Sequence, residues 1–199
     1  MEIEIKLAPV SAEAAERLFA DPCLTPHLGA PEHITMRTVY YDLPGRPLAA
    51  RRFMLRLRQE NETCICTFKA PARDGRLELE YAAETAEDGV AGLLRDPALP
   101  SDAAQLLRSG RVQPVCSAAF TRRQALYDDG ALAFMLSYDA GVLENGAHTA
   151  PIAEVELELV RGTLPDLQAQ ANRIMETYGL AEELRSKQQR AFALGEARE

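Results

Sequence analysis

Cysteine and histidine are scarce, and their spacing builds no metal site. The four cysteines are Cys23, Cys64, Cys66 and Cys116. The three histidines are His27, His33 and His148. Only the C-x-C pair is close in the chain, and it has no companion ligand at the spacing of a structural zinc site. We therefore expect reduced cysteines in the core, since free cysteine is commonly buried, and histidines outside the chemistry.

Long hydrophobic runs and an excess of positive charge are also missing. No stretch approaches the roughly 18 consecutive apolar residues of a membrane-spanning helix, and the chain opens with MEIEIK rather than with a basic segment followed by an apolar run. The formal net charge is -8, whereas general binding to nucleic acid or to an anionic membrane needs a net basic face. We expect a cytoplasmic protein that binds neither, with room for a local basic pocket. The sequence leaves the oligomeric state open.

The chain does contain segments with the alternating pattern of β-strands, and predicted helices separate some of them. Its 199 residues suit one domain, residues 1–199. Alternating patterns predict about eight strands, nearly all antiparallel. They lie in the segments MEIEIKL, ITMRTVYYD, RRFMLRLRQ, ETCICTFKA, RLELEYAAE, VQPVCSAAFTRRQALYDD, ALAFMLSYDAG and APIAEVELELVRG. The second to fifth strands follow one another through short turns, which predicts an antiparallel meander.

Helices are predicted at three places. Ser11 is a candidate N-cap for the first. The middle region, from about residue 88 to Gly110, predicts two short helices broken by prolines, with Ser101 or Asp102 as a cap and Gly110 as a stop. The last 37 or so residues predict further helices by the same signals.

Charged residues alternate with apolar ones in the first strand, so that Glu2, Glu4 and Lys6 share one face. The late segment EVELEL repeats the pattern with Glu154, Glu156 and Glu158 and no intervening base. Neighbouring carboxylates on such a face lie about 6.6 Å apart and repel one another. Other strands carry further charges. These are Arg56, Arg58, Lys69, Glu78, Glu80, Arg122 or Arg123, and Asp139.

Two orientations of these faces are possible. In one, the charges face solvent and the apolar rows form the core. In the other, the apolar rows pack beneath amphipathic helices, which need a partner surface, and the charges line a central cavity. The separation of carboxylate strands from basic strands favours the second. We therefore expect an α+β, mainly β fold: a closed eight-stranded antiparallel β-barrel with flanking helices, a strand number that can enclose one small ligand.

A cavity lined by both negative and positive side chains can bind a polyanion together with a metal ion. Hard cations such as Mg²⁺ or Mn²⁺ take carboxylate oxygens and bridge to phosphate oxygens. Arginine forks and lysines bind the remaining phosphate oxygens. Buried charges without such a ligand would be costly, so the cavity should be hydrated when it is empty.

Seven ordered elements resemble the CYTH family, the triphosphate tunnel metalloenzymes. They are E-x-E-x-K at residues 2–6, L-R-x-R ending at Arg58, Lys69, T-R at Thr121-Arg122, Asp139, E-x-E-x-E at residues 154–158, and the S-K of Ser186-Lys187. The resemblance covers nearly the whole chain and implies an eight-stranded barrel around the active site. We expect no segment like the helical CHAD domain that bacterial inorganic triphosphatases of this family often carry.

The resemblance also implies residue roles. The residues implied to bind the divalent metal are Glu2, Glu4, Glu80, Asp139, Glu154, Glu156 and Glu158, with Glu78 a weaker candidate than Glu80. The residues implied to bind triphosphate are Lys6, Arg56, Arg58, Lys69, Arg122 and Lys187. Lys6 with Tyr40 is the implied pair that helps to activate water, although Tyr41, on the opposite strand face, is an alternative. Arg123 should face outward.

Phe120 stands where many members carry a base, and this departure resembles the bacterial inorganic triphosphatases. The implied activity is metal-dependent hydrolysis of tripolyphosphate to pyrophosphate and phosphate. Thiamine triphosphatase and class IV adenylate cyclase are alternatives that use the same tunnel for an organic triphosphate. A polyphosphate- or nucleotide-binding module without turnover is a third.

Overall fold

The computed structural model describes residues 3–72 and 75–196. Its strands are β1 (Glu4–Ala8), β2 (Glu32–Asp42), β3 (Met54–Glu60), β4 (Thr63–Ala72), β5 (Gly75–Ala82), β6 (Gln113–Asp128), β7 (Ala133–Asn145), β8 (His148–Arg161) and β9 (Ala181–Glu182). They form one sheet in the order β5-β4-β3-β2-β6-β7-β8-β1-β9. The predicted meander of β2 to β5 is confirmed, and the fold is α+β and mainly β.

Six α-helices lie in the described part of the chain. They are α1 (Ala12–Phe19), α2 (Pro47–Ala50), α3 (Ala86–Leu93), α4 (Ser101–Ser109), α5 (Leu164–Tyr178) and α6 (Lys187–Glu196). Within residues 3–72 and 75–196, none of them is long and apolar enough to cross a membrane.

Helix ends follow the predicted signals at most positions. Ser11 Oγ accepts a backbone hydrogen bond in the first turn of α1, as expected of an N-cap. Gly110 ends α4 as predicted. The prediction of Ser101 or Asp102 as the cap of α4 is wrong, because both lie inside the helix and Pro100 is the N-cap. Proline fits there, since its fixed φ suits a helix start and no side-chain cap is formed.

The predicted orientation of the strand faces is confirmed. Ile5 and Leu157 are buried on the convex face with residues of α1 and α5. Leu55 and Phe68 are buried farther along the same face with residues of α3 and α4. Burial of this apolar face against helices is the main driving force for the layer arrangement. The alternate residues of the same strands, which carry the charges, therefore lie on the concave face.

One helix departs from the predicted outer layer. Ala191 of α6 is buried on the concave face among Phe120, Leu143 and Ile152. This part of the concave surface is apolar, and α6 covers it. The concavity is thus divided into a portion filled by α6 and a charged portion beside it.

The predicted closed eight-stranded barrel is wrong, because the sheet is open within the described residues, with β5 and β9 at its edges. Leu7 and Ala8 of β1 pair with β9, and the Lys6 carbonyl accepts a hydrogen bond from the Glu183 amide at 2.8 Å. The edge of β1 that β5 would need for closure is therefore already satisfied there. A strand edge can form only one ladder at a time.

The cysteine prediction is correct for two of four residues. Cys66 and Cys116 are buried, whereas Cys23 is exposed and Cys64 is half-buried, and all four are free thiols. Cys66 lies directly beneath α3, where a Cβ added at Gly89 would come within 2.3 Å of its side chain. The close approach of helix and strand at this point depends on that glycine.

Candidate active site

A cavity of about 150 Å³ opens on the charged part of the concave face. It brings together all six bases predicted to bind phosphate and three of the predicted metal carboxylates. These are Lys6, Arg56, Arg58, Lys69, Arg122, Lys187, Glu4, Glu156 and Glu158. Glu2 lies outside the described residues. The convergence of residues from six elements shows that the motifs meet in space.

The basic wall of the cavity comes from β3 and β4. Arg56 pairs in register with Tyr40 of β2 and with Thr67 of β4, so alternation places it on the concave face. Burial lowers the pKa of the Arg56 guanidinium, and the neighbouring charge of Arg58 lowers it further. Both effects report unfavourable confinement of positive charge, which an anion in the cavity would relieve.

The cavity-lining Glu156 belongs to a cluster of three buried carboxylates with Asp139 and Glu154, each with an oxygen within 4.8 Å of the others. Asp139 and Glu154 are partners in the β7–β8 register. Arg122 Nε and Nη2 donate to the two oxygens of Asp139 at 2.8 Å each, and Nη2 also donates to Glu156. Lys187 Nζ lies 2.7 Å from Asp139 and 2.8 Å from Glu156, and it contacts Glu154 too.

This cluster has the chemistry of a site for a hard cation. Three carboxylates converge, and the ammonium of Lys187 lies among them as a stand-in cation. Divalent cations such as Mg²⁺ prefer oxygen donors of this kind. Glu4 and Glu158 are direct partners in the β1–β8 register, and the Lys6 ammonium lies 2.8 Å from Glu4. Like charges opposite each other destabilise a sheet unless a cation lies between or beside them.

Glu80 lies outside the cluster of three. It accepts a hydrogen bond from Thr67 Oγ1 at 2.9 Å and lines an adjoining cavity together with Glu158. Glu78, the weaker candidate, is instead paired with Lys69 at 2.7 Å. Glu80 and Glu158 thus face one adjoining cavity, and the role of Glu80 as a metal ligand stays a prediction.

Tyr40 lines the cavity and is only 4% exposed. Burial raises the pKa of its hydroxyl, although Arg56 and Arg58 oppose the shift. The hydroxyl is therefore protonated at neutral pH and suited to donate a hydrogen bond. Lys6 Nζ donates to Glu4 Oε1 at 2.8 Å. Tyr41 packs on the opposite face with the core beneath α3 and α4, so of the two tyrosines the structure brings Tyr40 to the site.

Sequence reasoning missed Arg190. Its Nη2 donates to Glu154 Oε2, and its side chain is 12% exposed. A signal was present, because Arg190 follows Lys187 by three residues and such residues share a helix face. Arg123 faces away from the cavity, as predicted. Its Cζ lies 4.3 Å from the centroid of the Phe19 ring. The three histidines are absent from the cavity lining.

The buried carboxylates predict a specific acid sensitivity. Burial alone would raise the pKa of Glu156, but Lys187 and Arg122 lower it from 4.5 to about 2. In the unfolded chain this group takes up its proton first as the pH falls, so the stabilisation is complete above about 4.5 and is lost as the pH approaches 2. We expect the Glu156 carboxyl resonance to titrate well below that of an ordinary glutamate by NMR. A midpoint near 4.5 would contradict the buried ion network.

A model described as the CYTH domain matches residues 1–191. The chain belongs to the CYTH family. The match confirms the resemblance based on the seven motif elements. The protein is similar to an inorganic triphosphatase of Haemophilus influenzae, with 27% identity over 177 residues. That alignment covers 83% of this CYTH chain and 47% of the relative, so the chain spans about half the length of the curated relative it matches.

Solved structures support the same fold. A Hippeastrum protein studied as a candidate adenylyl cyclase, for which a dominant triphosphatase activity is described, is 19% identical with a TM-score of 0.62. The comparison covers 98% of this chain and 96% of that one. A candidate adenylate cyclase from Bacillus halodurans is 21% identical, with a TM-score of 0.60 and 96% of each chain covered. At these identities the likeness extends to the fold alone.

Proposed function

We propose that this CYTH protein is a metal-dependent triphosphatase that hydrolyses inorganic tripolyphosphate to pyrophosphate and phosphate. The observation that carries the proposal is the meeting of six bases with carboxylates of β1 and β8 around one cavity. A chain of phosphates needs cationic donors along its length and a divalent cation beside it. The likeness to the Haemophilus influenzae inorganic triphosphatase supports the same assignment.

The bases bind and orient the substrate in this proposal. Arg56 and Arg58, two residues apart on β3, present two guanidinium forks to one side of the cavity. Such forks bind phosphate oxygens through paired hydrogen bonds. Lys69 of β4 and Lys6 of β1 add point charges to the same cavity. The protonated hydroxyl of Tyr40 donates a further hydrogen bond rather than removing a proton from water.

The carboxylates hold the metal, Mg²⁺ or Mn²⁺. The residues that would hold it are Glu4, Asp139, Glu154, Glu156 and Glu158, with Glu2 and Glu80 as further candidates. When bound, the ion would supply charge neutralisation of the phosphate oxygens and a lowered pKa of bound water. Lys187 lies beside these carboxylates and also lines the cavity, so its ammonium can turn from the carboxylates to a phosphate oxygen.

A second candidate function is hydrolysis or cyclisation of an organic triphosphate, as in thiamine triphosphatase or class IV adenylate cyclase. It is favoured by an apolar patch, Leu126 and Met135, which alternate with the convex-core residues Ala125 and Phe134 and so lie on the concave face. Leu126 is 41% exposed. Met135 pairs in register with Leu126 and with Glu158, so an organic group on the patch would lie beside the charged cavity.

The two candidates are separated by phosphate release from tripolyphosphate, ATP and thiamine triphosphate under identical conditions. We expect the highest kcat/KM with tripolyphosphate in Mg²⁺ or Mn²⁺ and no turnover in EDTA. Higher kcat/KM with an organic triphosphate would favour the second candidate. Tight binding of tripolyphosphate without product would contradict both and indicate a binding module.

A further inference from the structure

Two cations of α6 point into the acidic cluster from the same helix face. Lys187 and Arg190 are three residues apart, which places their side chains on adjacent turns of one face. Their side chains are 10% and 12% exposed. Burial of two such charges is costly unless each is paired, so each needs a carboxylate of the cluster.

Both cations share the carboxylate of Glu154. Arg190 Nη2 donates to Oε2, whereas Lys187 contacts Oε1. Glu154 itself is fully buried on β8. With Oε2 held by Arg190, Oε1 is the oxygen that contacts the Lys187 ammonium, which also contacts Asp139 and Glu156. Rotation of the carboxylate would break the charge-assisted bond to Arg190 and leave a buried charge without its partner.

A separate contact docks α6 without involving the carboxylates. Asn145 Nδ2 donates to the carbonyls of Ala191 and Phe192, at 3.1 and 3.4 Å. These bonds hold the helix backbone against the end of β7. The orientation of Glu154 and the docking of α6 can therefore be disturbed independently, the first at Arg190 and the second at Asn145.

We propose that Arg190 is a positioning residue that orients the Glu154 carboxylate toward the cation position shared with Asp139 and Glu156. Hydrogen-bond partners behind a metal ligand commonly fix its orientation, and their loss costs about 10- to 100-fold in metal affinity. The proposal rests on the metal-dependent function proposed above. In this proposal α6 contributes to metal binding through Arg190, its second basic residue.

The test is the affinity of the full chain for Mn²⁺ alone, measured by electron paramagnetic resonance of the free ion without substrate. Loss of a positive charge would by itself strengthen cation binding. If Arg190 orients Glu154, its loss should instead weaken cation binding. We expect Arg190→Gln to weaken Mn²⁺ binding about 10- to 100-fold, and Arg190→Lys, which keeps one donor and the charge, to weaken it by a smaller factor. Unchanged or stronger binding in Arg190→Gln would overturn the proposal.

Two control variants separate orientation from other effects. Asn145→Ala removes the docking bonds to α6, and Arg185→Gln removes an exposed cation that is paired with Glu183. Both should bind Mn²⁺ within about twofold of the unchanged chain. An equal loss in Asn145→Ala would assign the effect to helix docking and refute orientation. If Arg190→Gln does not fold, binding by Arg190→Lys at the unchanged affinity refutes the proposal as well.

The outcomes are also distinct from those of the function proposal. Mn²⁺ binding without hydrolysis of tripolyphosphate would contradict the triphosphatase assignment but leave the role of Arg190 testable by its own result. Hydrolysis of tripolyphosphate by the unchanged chain, together with unaltered Mn²⁺ affinity in Arg190→Gln, would support the triphosphatase assignment and contradict the role of Arg190. Absence of Mn²⁺ binding by the unchanged chain would contradict both.

Discussion

Glu156→Gln is expected to reduce metal-dependent hydrolysis of tripolyphosphate by about a thousandfold, because a bound metal supplies several kcal/mol of charge stabilisation and about 1.4 kcal/mol corresponds to tenfold in rate. Glu156 lines the cavity and belongs to the cluster of three carboxylates. The amide keeps the shape of the side chain but removes the charge that attracts a divalent cation. The rate of phosphate release at saturating Mg²⁺ measures the effect.

The matched control is Glu144→Gln, which changes an exposed strand carboxylate that accepts a hydrogen bond from Ser117 at 2.8 Å. This variant should retain the full rate. Circular dichroism of both variants should match the unchanged chain, since neither side chain belongs to the apolar core. A near-normal rate in Glu156→Gln would contradict the assignment of the carboxylates to metal binding.

Lys187→Met is expected to lower the free energy of unfolding by about 3–5 kcal/mol in EDTA, the usual cost of removing one partner of a buried ion pair. Burial alone would lower the pKa of Lys187, but Glu156, Asp139 and Glu154 raise it above its ordinary value. Without the ammonium, these three buried carboxylates have less neighbouring positive charge to balance their own negative charge. Urea denaturation measures the loss.

A divalent cation should restore part of this stability. If the cluster binds Mg²⁺ or Mn²⁺, the variant without the competing ammonium gains more from added metal than the unchanged chain does, by the usual linkage of binding to folding. Arg185→Met is the control, because Arg185 is 62% exposed and contacts Glu183. Equal metal-induced shifts in Lys187→Met and the unchanged chain would show that no cation replaces the ammonium. We also expect KM for tripolyphosphate to rise in Lys187→Met.

The sequence predicted which strand faces meet but could not predict closure of the sheet. Period-two alternation in segments such as MEIEIKL and EVELEL determines which residues share a face, and the need of several amphipathic helices for a partner surface selected the orientation. Closure depends on which segment reaches the free edge of β1. That segment is β9, a two-residue strand, which is too short for any periodic signal.

The candidate site was predictable in composition but not in its pairing. The resemblance to the CYTH family supplied the bases and carboxylates that converge on the cavity. Their ion pairs depend on the depth at which α6 enters the concave face, which no local pattern encodes. The three-residue spacing from Lys187 could have indicated Arg190, but not its bond to Glu154, and the pairing of Lys69 with Glu78 rather than Glu80 was equally out of reach. Tertiary packing decides such contacts after the strands are aligned.

The most direct test of the charged cavity is a crystal structure with Mn²⁺ and tripolyphosphate, with manganese located by its anomalous scattering. We expect manganese within coordination distance of Glu156 and at least one other carboxylate of the cavity, and phosphate oxygens against Arg56 and Arg58. Manganese bound only on the convex surface, or tripolyphosphate absent from the concave face at saturating concentration, would contradict the proposed function.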